Sequence, residues 1–242
     1  VAAERGHDVT LMEQSGRVGG QYNLAAVAPH KDHLAGSMIQ MGARATKAGV
    51  DLRLYTAANK ARLEQLKPDF VVLATGAKFA APPVKGTENA ISAWDFLNHD
   101  AFAPTEDVAV IGGGLTAMEV MEILAKDGKK VTVIEMADDI ARDMEFYVRP
   151  YFDDVIREFD IKIMTKTKCV EIGDGYVVVE QDGEEKKLPF GTVVMASGSK
   201  KHNPLEETVK EMGIPYEVIG DAINPGKVMN ALWGGNKVGR EI

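Results

Sequence analysis

Apolar residues in this chain fall into short runs bounded by glycine, with helically spaced apolar positions between them, which predicts alternating strands and helices. The densest example runs from Asp107 to Glu135. Residues 108–111 (Val, Ala, Val, Ile) read as a strand buried on both faces. Met118, Met121, Ile123, Leu124 and Ala125 then recur at mostly helical spacing, and Gly128 stops the helix. A second apolar run, 131–134, ends on Glu135.

The same grammar opens the chain. Residues 1–9 read as the tail of a helix stopped by Gly6, followed by a strand over 9–12 and then Glu13. AAERGHDVTLME (2–13) parallels AKDGKKVTVIE (125–135), so two units of one kind are expected, the first lacking its opening strand and glycine turn. On this reading the chain is a fragment whose upstream residues carried that loop. Further on, the pattern predicts a helix over 33–49 with Met38, Met41 and Ala45 inward, a strand over 50–54, a helix over 59–66 and a buried strand over 69–74. Ala80–Gly86 is a proline-rich connection. After Glu135 a helix over 145–159 and a strand over 161–164 precede an antiparallel meander (169–172, 176–181, 184–188) with Gly-containing turns. A buried strand over 192–196, a strand over 217–219 and a helix from 227 complete the chain. Val228, Ala231, Leu232 and Val238 are that helix's expected apolar contacts.

Composition narrows the picture. The 242 residues are 45% hydrophobic and 26% charged, with no apolar run long enough to span a bilayer. A net charge of −8 argues against a nucleic-acid partner, which needs clustered Lys and Arg. A single cysteine, Cys169, leaves no internal disulfide framework, redox dithiol or iron–sulfur cluster, and points to a reducing cytoplasm. It reads as a small buried apolar side chain.

The chemistry concentrates at the glycine turn of the second unit. Gly112, Gly114 and Ala117, with Leu115 and Thr116 between them, spell G-x-G-x-x-A between a strand and a helix. Gly112 permits the tight turn, Gly114 lets backbone approach a pyrophosphate, and Ala117 keeps helix and strand close. The helix N-terminus adds unpaired amides and a positive dipole end. Glu135 follows the first glycine by 23 positions, near the distance at which an acid accepts from an adenosine ribose and repels a 2′-phosphate. NADH is therefore favoured, with NADPH the alternative, since Arg142 lies nearby. Glu119 reads as a solvated or ion-paired helix residue, or as a neighbour of the nicotinamide. His30 and His33 have metal-ligand spacing, but no third ligand is evident and both read as solvated. Asp221 accepts from ligand hydroxyls or serves a turn. No side chain is assigned a catalytic or metal-binding role.

Four features then resemble two-dinucleotide flavoproteins of the glutathione/thioredoxin reductase type. They are Glu13 with Gly19, Gly20 and Gln21; Ala74, Thr75 and Gly76, echoed at Ser197-Gly198; the loop from Gly112 to Glu119; and Gly220 with Asp221. Within that group, GHDVTLMEQSGRVGGQYNLAAVAPHKDHL is similar to the C-terminal half of the 2,4-dienoyl-CoA reductase, enoate reductase and trimethylamine dehydrogenase family. The resemblance implies an α/β fold of two Rossmann-like domains, the second inserted in the first, with an antiparallel meander. Residues 1–103 and 191–242 would bind FAD, with Glu13 on the adenosine ribose and Asp221 on the ribityl chain, and 104–190 would bind NAD(P)H. It also implies an upstream barrel carrying FMN, a 4Fe–4S cluster and the site for an enoate or CoA-thioester substrate. Electrons would pass from NADH through FAD to an activated C=C bond there. A non-catalytic ADP-binding module, as in trimethylamine dehydrogenase, and a stand-alone NADH:acceptor reductase are the alternatives. Homo-oligomerisation is left open.

Overall fold

The computed structural model describes residues 1–142 and 144–242. The first half comprises β1 (Thr10–Met12), α1 (Tyr22–Ala25), α2 (His33–Lys47), β2 (Asp51–Arg53), α3 (Lys60–Leu66), β3 (Val71–Leu73), β4 (Ala77–Phe79), β5 (Ile91–Ser92) and α4 (Ala93–Leu97). Next come β6 (Asp107–Ile111), α5 (Leu115–Lys126), β7 (Lys130–Ile134), α6 (Arg149–Glu158) and β8 (Lys162–Met164). The chain ends with β9 (Lys168–Gly173), β10 (Tyr176–Gln181), β11 (Glu184–Pro189), β12 (Thr192–Met195), β13 (Ser199–Lys201), α7 (Glu206–Glu211), β14 (Tyr216–Val218) and α8 (Val228–Glu241). These fall into two compact units. Unit 1 is Val1–Ala26, Asp32–Lys78 and Ser199–Ile242; unit 2 is Val27–Lys31 and Phe79–Gly198. The chain passes between the units at 78/79 and 198/199, and β5 joins the sheet of unit 2 beside β12.

Unit 2 is built on a five-stranded sheet of order β5-β12-β6-β7-β8 whose pairs are parallel. Strands β6 and β7 bury every residue after their first, as the unbroken apolar runs require. Against the sheet, α5 buries Ala117, Met118, Val120, Met121 and Leu124. The antiparallel meander β9–β10–β11 packs Cys169, Ile172, Val177 and Val179 into one cluster with Ile111, Ile134 and Met195 of the sheet.

Unit 1 contains two parallel pairs, β1–β2 and β3–β14. Leu63, Leu73 and Val209 centre its core, with Met12, Tyr216 and Val218 packed around them. Three expectations need correction. In the 69–74 run only Leu73 is deeply buried and Val72 is 38% exposed, because β3 pairs on one edge alone among the described residues. Met41 is 45% exposed, while Met38 and Ala45 are half-buried. On α8, Val228, Ala231 and Leu232 stay exposed, Ala231 while lying against Gly220, and of the four only Val238 is buried. That helix packs through glycines instead, since a Cβ on Gly234 would come 3.3 Å from Ile219 and one on Gly239 3.1 Å from Val1.

Helix α6 starts at Arg149 rather than 145, with Pro150 in its first turn, where a missing amide costs nothing. Among the described residues no helix is long and apolar enough to cross a membrane.

Candidate functional site

In unit 2 the chain leaves β6 at Ile111 and turns through Gly112, whose φ of 109° favours glycine. The Gly112 amide donates to the Ile134 carbonyl (2.9 Å), extending the β6–β7 pairing by one bond. A Cβ here would come 3.0 Å from the Ala196 carbonyl oxygen. Gly114 is the extended residue ahead of α5, and the first helical bond runs from the Met118 amide to its carbonyl (3.1 Å). The amides of Thr116 and Ala117 therefore lie outside the helical ladder, at the positive end of the helix. Ala117 is fully buried, as close packing of α5 on the sheet requires.

Glu135 meets this turn directly. Its Oε2 accepts from the Gly113 amide (2.5 Å) and its Oε1 from the Ala137 amide (2.6 Å). The Ala141 amide donates back to the Gly113 carbonyl (2.6 Å), tying the following segment to the glycines. Arg149 braces that segment from α6. It donates to both oxygens of Asp139 (3.1 Å each), to Asp153 (2.9 Å) and to the Ile140 carbonyl (3.1 Å). The Arg149 guanidinium holds the Asp139 carboxyl below its ordinary range. Arg142 pairs with Asp138 at 3.7 Å, both exposed.

A second feature of unit 2 lies along α5. Glu119 and Glu122 are 5% and 1% exposed, so each carboxylate needs a partner. Lys31 pairs with Glu119, while Lys126 (2.7 Å) and the Tyr151 hydroxyl donate to Glu122. Burial, aided by that hydrogen bond, pushes the Tyr151 phenol up. A cavity of about 280 Å³ opens beside these groups, walled by Ala28, Pro29, Val148 and Phe152. His30 borders it, edge-on to Tyr151 at 5.8 Å. The surface it presents is apolar, because the charged groups beside it are engaged with one another.

Unit 1 gathers several of the other expected residues. The Gln21 amide donates to Asp221 Oδ2 (3.3 Å), and a Cβ on Gly76 would lie 3.7 Å from the same nitrogen. Asp221 Oδ1 accepts from the Gly226 amide (3.0 Å), so it also serves the turn into α8. Gly19 packs against Met38 and Asn23, with Gly20 between it and Gln21, and Gly220 lies against Ala231. The Thr75 hydroxyl donates to the His202 carbonyl (2.5 Å), and Ala74 is exposed. Glu13 directly follows β1, and its carboxylate accepts from the Ser15 amide (2.7 Å). Gly198 belongs to unit 2, where its carbonyl accepts from the Ala80 amide (3.3 Å). Among the described residues no group of three or more His, Cys, Asp or Glu is placed to hold a metal.

A model of the family described as pyridine nucleotide-disulphide oxidoreductase matches residues 1–221. The chain belongs to that family. Pyridine nucleotide-disulphide oxidoreductases are NAD(P)H-dependent flavoproteins that bind FAD. This member is 36% identical, over its full length, to the NADH oxidase of Thermoanaerobacter brockii, and 30% identical to the cinnamate reductase of Clostridium sporogenes. It superimposes over its full length on a solved complex of 2-naphthoyl-CoA reductase with 2-naphthoyl-CoA, at a TM-score of 0.92 and 30% identity. It spans 38% of the first protein and 37% of each of the other two. Within the family the likeness is thus to the C-terminal half of the enoate reductase and trimethylamine dehydrogenase type, as the resemblance in the sequence implied.

Sequence reasoning missed the Lys31–Glu119 pair, the Tyr151–Glu122 bond and the bracing by Arg149. Lys31 and Glu119 stand 88 positions apart, beyond the reach of any local pattern. A partial signal existed for Glu119 and Glu122, two charges inside an otherwise apolar helix.

Proposed function

We propose that unit 2 binds NADH, that unit 1 binds FAD, and that the chain is the NADH-oxidising part of a flavin-dependent reductase. Such an enzyme would reduce an activated C=C bond, of enoate or CoA-thioester type, in a part carrying FMN and a 4Fe–4S cluster. The names of the cinnamate and naphthoyl-CoA reductases support that substrate class. One observation carries the reading: the Cβ-free turn at Gly112 and Gly113 lies against the amino end of α5 with the Glu135 carboxylate beside it. Backbone amides at a helix start suit a pyrophosphate, and a carboxylate suits ribose hydroxyls while opposing a 2′-phosphate.

In this reading Glu119, held by Lys31, borders the nicotinamide end of the site, and the apolar cavity walls exclude water there. Gln21, Gly76 and Asp221 would hold the flavin dinucleotide in unit 1, with Glu13 on its adenosine side. A flavin bound there would supply hydride-accepting and one-electron chemistry, and these residues would hold it. A cytoplasmic location accompanies the proposal, supported by the single buried thiol.

Anaerobic titration of the FAD-loaded protein with NADH tests it. Bleaching of the flavin absorbance by one equivalent is expected. Tight ADP binding with no bleaching would replace the proposal with a non-catalytic adenine-nucleotide module.

A further inference from the structure

The role proposed for Glu135 uses only its outward side, toward a ribose. Within the protein both of its oxygens are already engaged, by the Gly113 amide at 2.5 Å and the Ala137 amide at 2.6 Å. We infer that Glu135 is the positioning residue of the glycine turn: its carboxylate fixes the Gly113 peptide before any dinucleotide binds, so one side chain sets both the phosphate cradle and the ribose preference.

Three observations carry this. First, Gly113 is held at both ends, its amide by Glu135 and its carbonyl by the Ala141 amide (2.6 Å), so the 112–113 peptide cannot rotate without breaking the bond to Glu135, nor the 113–114 peptide without breaking the bond to Ala141. Second, carboxylate-to-amide hydrogen bonds are short and strong compared with neutral ones, and these lie at a half-buried position. Third, the middle glycine becomes intelligible. The dinucleotide fingerprint leaves position 113 free, yet a Cβ there would come 2.9 Å from Glu135 Cγ and 2.9 Å from Ile140 Cγ2. Gly113 lacks a side chain because the stem of Glu135 crosses that space.

The inference rests on unit 2 binding a dinucleotide, and its test keeps the two ideas apart. Hydrogen exchange is measured on the cofactor-free protein, and calorimetry with ADP and 2′,3′-dideoxyADP on protein saturated with FAD. For Glu135→Ala, exchange at the Gly113 and Ala137 amides should accelerate about tenfold or more, while Val110 in β6 is unchanged. Affinity for 2′,3′-dideoxyADP, which has no ribose hydroxyl to contact, should fall about tenfold as well. A Glu135→Ala protein that binds the dideoxy analogue as tightly as the wild type, with unaltered exchange at Gly113, overturns the inference. If Glu135→Ala fails to fold, Glu135→Gln keeps one accepting oxygen and should free one of the two amides; protection of both overturns it equally. A wild type that binds neither nucleotide removes the dinucleotide reading, and the exchange data still decide the anchoring.

Discussion

Unit 2 carries five parallel strands in one sheet, whereas unit 1 carries its parallel strands as two separate pairs. The sequences of the strands hardly differ: Val71, Val72 and Leu73 of β3 are as apolar as Val108, Ala109 and Val110 of β6. Yet Val108, Ala109 and Val110 are wholly buried, while Val72 is 38% exposed. The helices follow suit, since α5 buries eight of its twelve residues and α2 none of its fifteen. The lesson is that an apolar run specifies a strand, but burial is conferred by neighbours on both edges and both faces.

The largest test of this contrast is hydrogen exchange. Amides of β6, β7 and β12 should outlast those of β1, β2, β3 and β14 by about two orders of magnitude, because opening free energy tracks buried apolar contact. Equal protection in the two units would break the comparison. Truncations sharpen it. Met121→Ala in α5, at 0% exposure, should cost about 3 kcal/mol in urea unfolding, and Met41→Ala in α2, at 45% exposure, within about 0.5 kcal/mol. Similar costs would show that α2 is covered in solution.

The glycine turns make a third pair. Gly112→Ala should cost about 2 kcal/mol through its φ of 109° and its clash with the Ala196 carbonyl, and should reduce NADH affinity about tenfold. Gly20→Ala, with a φ of 48° and open space where its Cβ would stand, should cost about 1 kcal/mol. An NADH affinity untouched by Gly112→Ala would count against the assigned cradle. The smallest effect concerns pH. Burial pushes the Cys169 thiol up to about 11, above the 9 of an exposed thiol. The unfolded state therefore loses its proton first, so this contribution to stability is full below pH 9 and is lost as pH rises through 11. Comparing melting temperatures of wild type and Cys169→Ala across that range checks it; the decline should be steeper in the wild type, and equal slopes would sink the assignment to Cys169.

How much was legible follows from what each feature depends on. The glycine turn, its helix and the acid closing β7 could be read because they are local, one unit in unbroken order. The meander could be read from its Gly-containing turns and period-two alternation. The apolar face of α8 was misread because its contacts run through Gly234 and Gly239, residues that periodicity scores as neutral. The start of α6 was misplaced because residues 146–148 form a turn that leads into the helix, its Val148 amide bonding back to the Glu145 carbonyl.

By itself, then, the sequence determined the alternation of strands and helices, the repeated unit, the turn at Gly112 and the acid at Glu135, since these arise from backbone sterics and short-range spacing. Only the tertiary structure decided that Gly113 must be bare to admit the stem of Glu135, that Lys31 neutralises a carboxylate buried in α5, and that two strands of like composition differ in exposure. Those outcomes depend on which atoms meet across long stretches of chain, and contacts of that range leave no periodic trace.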